Sequence, residues 1–580
     1  MSGTTLLKVP QGLFFDYIFH RWQTRSKTLL IRDVPNSKEA NVERFLFDVI
    51  TVKEKIYYQL DDIARQRLKE PDVDVFVAVL ADAGYSFTVL LFALYALGAT
   101  TVPLSPTVLP EEGCYIMHLC NASLLATVPR MVKNAEAIAE LTSTRIFSFD
   151  MMLSELPVNL RFTLQSEGTP IESSKGFVLL QTSGTTGLPK GVLHTRRAVE
   201  IGISKRAESL RTSEDDIMLH TSPVHWAAGF SYCVAGVISG ACIEFCRAVF
   251  SLDWLTQRLQ KGDVRSMILP PNVLDALAEK VSMAQRTWPL SQSRALLHGI
   301  DSMRMIFTGG MRVHSSTQAT WEKLRGGRPL VVVYAMTETL AAVSMQRHET
   351  VAEREPDCCG SIMPYIDAKI SDTGEICIKG PVMFKKYLSW DSTIMHGAFD
   401  SEGYYKTGDI GRIKNGLLFV LGRASYDVIR FRGWKIYAPE VEDGLEKHPL
   451  IARAIVVGVP DRQAGHRVGA LLVMKDPESY RPSKQDHWDL SPNLNLSSLQ
   501  RWLALEQRLS VYKLPTLLRL VRAADTVPTT TSGKVQKPEI VHSFFSNSDL
   551  ASGQVEFGDF LAKGGEEYPK PFDWAGIQDD

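Results

Sequence analysis

Residues 73–106 read VDVFVAVLADAGYSFTVLLFALYALGATTVPLSP, and the pattern of this stretch sets the fold class. VDVFVAVLA (73–81) is a short apolar run rich in valine, which predicts a strand buried on both faces. SFTVLLFALYALG continues as an unbroken apolar segment stopped by Gly98, which predicts a buried helix, and TTVPLSP resumes extended chain. The order strand, helix, strand is a βαβ unit. From Phe87 to Pro103 the run is shorter than the roughly 20 residues a bilayer span needs, so membrane insertion is not expected.

The same rhythm recurs in FVLLQTSG (177–184), MILPPNVLDALAEKV (267–281), MRMIFTGG (303–310) and LVVVYAMTET (330–339), which predicts a large body of mostly parallel sheet flanked by helices. From about residue 370 the texture changes to short strands and turns, as in AKISDTGEICIKGP and GRIKNGLLFVLGR, and predicts a smaller β-rich unit. After Arg423 the charged stretch PEVEDGLEKHP, then IARAIVVGVP and GALLVMK, predict a separate α+β lobe. Residues 476–496, rich in Pro, Ser and Asp, read as a loop insertion. The end, GGEEYPKPFDWAGIQDD, reads as a polar tail that Phe572 and Trp574 alone would dock. The expected class is therefore α/β: a body of βαβ subdomains plus a β-rich unit over 1–421, a hinge at 422–428, a small mobile lobe over 429–548 and a tail over 549–580.

Lysine and arginine total 64 against 65 aspartates and glutamates, so no net field draws the chain to nucleic acid or an anionic membrane. Any anionic ligand has to be held locally. At 45% hydrophobic and 22% charged residues, the 580-residue chain has the composition of a folded protein rather than a disordered or fibrous one. The 8 cysteines are scattered without a CxxC pair, which points to structural thiols in a reducing compartment and away from a disulfide framework or zinc site. Neither terminus carries a signal or peroxisomal motif, so cytoplasmic placement is the expectation.

The segment Gln181-Thr182-Ser183-Gly184-Thr185-Thr186-Gly187-Leu188-Pro189-Lys190-Gly191 packs hydroxyls, glycines and one lysine into a short loop. Glycines let backbone amides converge, hydroxyls add donors and Lys190 adds a point charge, a combination suited to polyphosphate. The spacing is not that of a Walker loop. A flexible surface loop has the same composition, and the residues alone leave the two readings even.

TSGTTGLPKG resembles the phosphate-loop signature of the adenylate-forming superfamily of acyl-CoA synthetases, luciferases and peptide-synthetase adenylation domains. Seven further elements follow the order of that family: ALYALGATTVPLSP, SPVHWAAGF, TGG (308–310), YAMTET (334–339), YKTGD (405–409) with GR (422–423), GWKIYAPEVE (433–442) and PTTTSGKVQK (528–537). The layout is closest to a stand-alone acyl-CoA synthetase. The resemblance implies ATP, Mg²⁺ and coenzyme A as co-substrate. It implies that Thr182, Ser183, Gly184, Thr185, Thr186, Gly187 and Lys190 wrap the phosphates, with Gly309 and Gly310 also at the nucleotide. It puts Tyr334 on adenine, Thr337 on the α-phosphate, Glu338 on Mg²⁺, Asp409 at the ribose, and Arg423 at the ribose or a phosphate. Lys534 is the cation shared by the carboxylate and the α-phosphate, and His225 is a wall between acyl pocket and thiol channel.

Trp226, Phe230, Met311 and Ala335 are the acyl-pocket candidates by motif neighbourhood; Ala335 stands where the family usually has glycine. Arg304 and Arg312 flank the TGG loop, where a cation suits a second carboxylate. GRASYDVIRFRG is one residue longer than the family spacing, which leaves Ser425, Tyr426 and Asp427 open as the pivot of domain alternation. The expected activity is activation of a small carboxylic acid as acyl-AMP, then thioester formation with coenzyme A. No phosphopantetheine attachment motif follows Lys534, so the thiol comes from outside; a separate carrier protein is the alternative acceptor, and a nucleotide-binding protein without catalysis the remote one. Medium-chain, aryl and short dicarboxylic acids all stay open, as does oligomeric state.

Overall fold

The computed structural model describes residues 5–149, 155–165, 171–182, 190–213, 215–246, 251–347, 353, 355–391, 393–432, 434–462, 464–475, 494–521, 525–530 and 533–558. The opening stretch forms the expected unit: strand Phe76–Leu80, helix Tyr85–Leu97 and strand Thr100–Leu104, with the two strands parallel. Gly98 ends the helix at φ 76° and sends the chain straight into the second strand. The helix is buried along nearly its whole length, which explains why its apolar residues show no single stripe.

These strands belong to a seven-stranded sheet that runs from Lys386–Leu388 through Lys190–Thr195, Gly176–Thr182, Thr100–Leu104, Phe76–Leu80 and Leu124–Thr127 to Ile146–Ser148. A second, thirteen-stranded sheet has a parallel centre that includes Ile217–His220, Val264–Ile268, Met305–Gly309 and Val331–Ala335. The β-rich stretch after residue 370 is not a unit of its own. Strands Glu375–Lys379, Tyr405–Lys414 and Leu417–Arg423 continue the same sheet in antiparallel fashion, and Lys386–Leu388 crosses to the edge of the seven-stranded one. Turn residues break the rhythm locally, but the strands complete an existing sheet edge instead of founding a new core.

Beyond the turn at 424–427, the lobe packs around separate apolar clusters, one holding Ile436, Val441, Leu445 and Leu472, the other Ile455, Leu471 and Phe544. Its sheet lies beside helix Ala438–Glu446. Most of the 476–496 insertion, residues 476–493, and all of 559–580, with Phe572 and Trp574, lie outside the described residues.

A set of charges closes the seam between body and lobe. Arg312, from the loop after Met305–Gly309, donates through Nε to Asp357 Oδ1 at 2.8 Å and through Nη2 to Asp443 Oδ2 at 2.6 Å, and Nη1 reaches the Pro439 carbonyl. His314 Nδ1 lies 2.9 Å from Glu446 Oε2 and 3.6 Å from Asp443 Oδ1. Burial works against a charge on His314, yet Asp443 and Glu446 hold its pKa up at about 10. Asp443 is held below the usual carboxylate range by His314 and Arg312, against the opposing effect of burial.

A raised histidine pKa stabilises the folded state most where the unfolded chain is also protonated, below about pH 6.5, and that contribution fades as pH rises toward about 10. His314→Gln is expected to cost about 1.5–3 kcal/mol at about pH 6, with the gap to wild type narrowing by about pH 9.5 in thermal unfolding. A gap that stays constant with pH would show that the histidine is not charged at the seam.

Candidate active site

Strands place the site residues at one end of the two sheets. Thr182 and Lys190 face each other across the hairpin of Gly176–Thr182 and Lys190–Thr195. Ser183, Gly184, Thr185, Thr186 and Gly187 lie outside the described residues. Lys190 Nζ sits 3.7 Å from the centre of the Tyr387 ring and 3.8 Å from Glu338 Oε1. Burial lowers the Lys190 pKa, and Glu338 partly offsets this. The Thr182 hydroxyl is buried without a partner. A buried orphan donor beside a desolvated lysine suits an anionic group with several acceptor oxygens, so these residues fit the phosphates of a nucleotide.

Tyr334 ends strand Val331–Ala335, and its hydroxyl donates to Asp409 Oδ2 at 2.7 Å. Arg423 stands opposite Asp409 in the antiparallel pairing, with Nε 3.1 Å from Asp409 Oδ1 and Nη2 donating to the Thr407 carbonyl. Burial raises the Asp409 pKa, while Arg423 and Tyr334 pull it back. Among these three the carboxylate is the acceptor-rich member, the chemistry that ribose hydroxyls require.

Gly309 and Gly310 have different tasks. A Cβ at Gly309 would lie 2.1 Å from the Val333 carbonyl oxygen, so glycine lets two parallel strands close, whereas Gly310 has open space around it and a φ of +78°. Met311 follows half-buried, and Arg312 then turns to the lobe.

His194 and Tyr387 carried no signal in the sequence. Burial pushes the His194 pKa down to about 4, so the ring is neutral, and its Nε2 donates to the Thr337 carbonyl at 2.7 Å. Tyr387, on the edge strand Lys386–Leu388, donates to Glu338 Oε1 at 2.6 Å and lies 2.8 Å from the Tyr405 hydroxyl. One tyrosine therefore fixes Glu338 through its hydroxyl and Lys190 through its ring. An aromatic among lysines in KKYL could have flagged it, but only the fold shows that this strand joins the hairpin of Lys190.

Lys534 arrives from the lobe. Thr530 N donates to the Lys534 carbonyl at 2.8 Å and Gly533 N to the Thr530 carbonyl at 2.8 Å, which turns the chain back on itself, and Gly533 has a φ of +79°. A Cβ at Gly533 would lie 2.3 Å from Asn272 Nδ2, which places the turn against helix Pro271–Thr287 of the body. Burial lowers the Lys534 pKa and Arg423 adds to the effect, with Asp409 and Glu338 acting in the opposite sense.

At the other end, His225 precedes helix Ala227–Ser239, and Trp226 is its N-cap. Burial alone drives the His225 pKa down to about 4, and its Nδ1 has no partner. Phe230 is fully buried, edge-on to Phe177, and Ala335 is half-buried beside Tyr334. The two arginines weighed as readers of a second carboxylate are committed elsewhere. Arg304 directly precedes the strand Met305–Gly309 and pairs with Asp216, and Arg312 holds the lobe.

A family model described as AMP-binding enzyme matches residues 66–388, and one described as AMP-binding enzyme C-terminal domain matches 440–534. The chain belongs to the AMP-binding enzyme family. This AMP-binding enzyme is 29% identical over 478 residues to the acyl-CoA ligase oryP of Aspergillus oryzae, covering 81% of this chain and 82% of the relative. It is 25% identical over 488 residues to a malonate–CoA ligase of Arabidopsis thaliana, covering 80% and 78%. In fold it matches the ATP-bound structure of MatB from Rhodopseudomonas palustris with a TM-score of 0.70 at 19% identity, over 91% of this chain and 98% of that one. The o-succinylbenzoate CoA synthetase MenE of Bacillus subtilis, solved with its acyl-adenylate intermediate, matches with a TM-score of 0.68 at 23% identity, over 90% and 97%. In this AMP-binding enzyme, Glu338 would hold Mg²⁺ by a hard carboxylate oxygen.

Tyr387→Phe keeps the ring over Lys190 and removes the bond to Glu338. It is expected to lower ATP-dependent turnover about tenfold or more and to raise the Mg²⁺ concentration needed for half-maximal rate. A metal titration with unchanged midpoint and rate would show that the hydroxyl does not position Glu338.

Proposed function

We infer that the chain is an AMP-forming acyl-CoA synthetase: it activates a carboxylic acid with ATP and passes the acyl group to coenzyme A. The observation that carries this reading is that the lobe sets Gly533 against Asn272 of the body, with Lys534 within electrostatic reach of Asp409, Arg423 and Glu338. In the first half-reaction, a carboxylate oxygen of the acid attacks the α-phosphorus and pyrophosphate leaves. Both reactants are anions, so the main task is to bring them together and offset their repulsion. Lys534 is the cation suited to lie between them, Thr337 the hydroxyl suited to the α-phosphate, and Thr182 and Lys190 the groups suited to the departing phosphates. In the second half-reaction, the thiol sulfur attacks the acyl carbon, AMP leaves with the bonding electrons and the thiol proton passes to solvent.

His225, neutral and with a strongly depressed pKa, is a weak base and suits the wall of the acyl pocket better than proton abstraction. The turn at 424–427 is the proposed pivot by which the lobe withdraws Lys534 for the thiol step. Asp427 accepts there from the Arg423 backbone at 2.9 Å and pairs with Lys537 at 2.5 Å, which makes it the residue best tied to both sides. No described helix is long and apolar enough to cross a membrane. All eight cysteines are free thiols, which supports a reducing compartment.

ATP–pyrophosphate exchange over a panel of medium-chain, aryl and dicarboxylic acids tests the first half-reaction, and product mass with coenzyme A tests the second. Lys534→Ala is expected to lower exchange by about 10²-fold or more. Exchange that survives Lys534→Ala, or acyl-AMP formation without any coenzyme A product, would overturn the respective half.

A further inference from the structure

Two buried arginines meet a carboxylate through the same forked geometry. Arg44 donates from Nε and Nη2 to the two oxygens of Asp48, each at 2.8 Å. Arg258 uses the same two nitrogens on Glu244, at 2.5 and 2.9 Å. Arg206 has that fork open. Its Nη1 donates to Ser231 Oγ at 2.9 Å, and its guanidinium carbon lies 5.7 Å from the centre of the Tyr232 ring. Among the described residues no acceptor takes a bond from Nε or Nη2, and neither nitrogen is sealed off from accessible space.

Among the described residues no carboxylate acts on Arg206. Burial depresses the Arg206 pKa, and the groups that act back on it are the phenols of Tyr232 and Tyr365, both neutral. His220, also nearby, is held down at about 4 and is uncharged. Arginine stays protonated under such conditions, so a cation is kept half-buried in the interior without a counter-ion. Ser231 in turn donates to the Ala228 carbonyl at 3.2 Å, which turns its lone pairs to Arg206 and fixes the plane of the guanidinium.

Its place in the fold says which ligand would reach it. Ser231 and Tyr232 follow Trp226–Phe230 on the helix that opens at His225. Tyr365 donates to the Ala342 carbonyl at 2.9 Å, and Gly202, one turn before Arg206, packs against Ala341. Ala341 and Ala342 come directly after the Thr337–Leu340 stretch. Arg206 thus lies beside the continuations of two motifs, SPVHWAAGF and YAMTET.

We propose that the Nε/Nη2 fork of Arg206 reads a second carboxylate at the far end of the substrate, so that the acid activated is dicarboxylic. This rests on the adenylation reading above. The reacting carboxylate is taken up with Lys534 and Thr337, and the distal one accepts two parallel hydrogen bonds from Arg206. A site with buried donors discriminates strongly against an analogue that leaves them unpaired. Ser231 is a positioning residue in this scheme.

The test compares succinate, adipate and suberate with the monocarboxylic acids of the same carbon number in ATP–pyrophosphate exchange. Wild type is expected to prefer at least one diacid over its monoacid partner by about 10²-fold in kcat/KM, and Arg206→Met to abolish or reverse that preference. Arg206→Lys should retain part of it and Ser231→Ala should weaken it. The ratio of two substrates on one preparation does not depend on how much enzyme is folded. A wild-type preference for monoacids, or a ratio that Arg206→Met leaves unchanged, overturns the proposal. Absence of exchange with every acid would instead sink the adenylation reading. Calorimetric binding of the same diacids, which needs no chemistry, then judges Arg206 alone: loss of binding in Arg206→Met supports the fork, and equal binding overturns it.

Discussion

Arg312 is held between Asp357 of the body and Asp443 of the lobe, and the nucleotide end of the site depends on that contact. The lobe brings its own apolar clusters, so hydrophobic burial alone does not dictate where it docks. Ion pairs that are mostly shielded from water do, because each partner left alone would be a buried charge without compensation. With Arg312 and His314 engaged, helix Ala438–Glu446 is fixed against the loop that carries Gly309 and Gly310, and the turn at Lys534 rests on Asn272. A cation from one unit then completes a cluster of acids and bases built by the other. In the proposed mechanism the same pairs break as the lobe turns for the thiol step, which would make their strength bear on both half-reactions.

Much of the body was legible because a βαβ unit writes itself locally. Val73–Ala81 and Tyr85–Leu97 are decided by apolar runs and a terminal glycine, and both appear as expected. The β-rich stretch was misjudged as a unit, since the turns that bound Glu375–Lys379 or Tyr405–Lys414 say nothing about which sheet edge receives them. Register with a distant strand is a property of the whole core and leaves no local mark.

The site divides in the same way. Short motifs named Tyr334, Asp409 and Lys534, and the fold brings these groups together. Tyr387 and His194 escaped notice because their work is done by one hydroxyl and one ring nitrogen, reaching residues about 50 and 143 positions away. At the acyl end, proximity to TGG in sequence pointed to Arg304 and Arg312, whereas strand direction carries Arg304 to the far end and the lobe captures Arg312. Arg206 sits in no motif. Only packing of one helix on another reveals a cation with an open fork beside the acyl-pocket candidates.

The account turns on the lobe holding Lys534 within electrostatic reach of Asp409, Arg423 and Glu338. Competitive acetylation of the intact protein across a pH series, read at Lys534 by peptide mass spectrometry, measures its accessibility and its pKa together. The account predicts a Lys534 that titrates below the ordinary lysine range. A Lys534 that titrates with the pKa of an ordinary surface lysine would contradict the account.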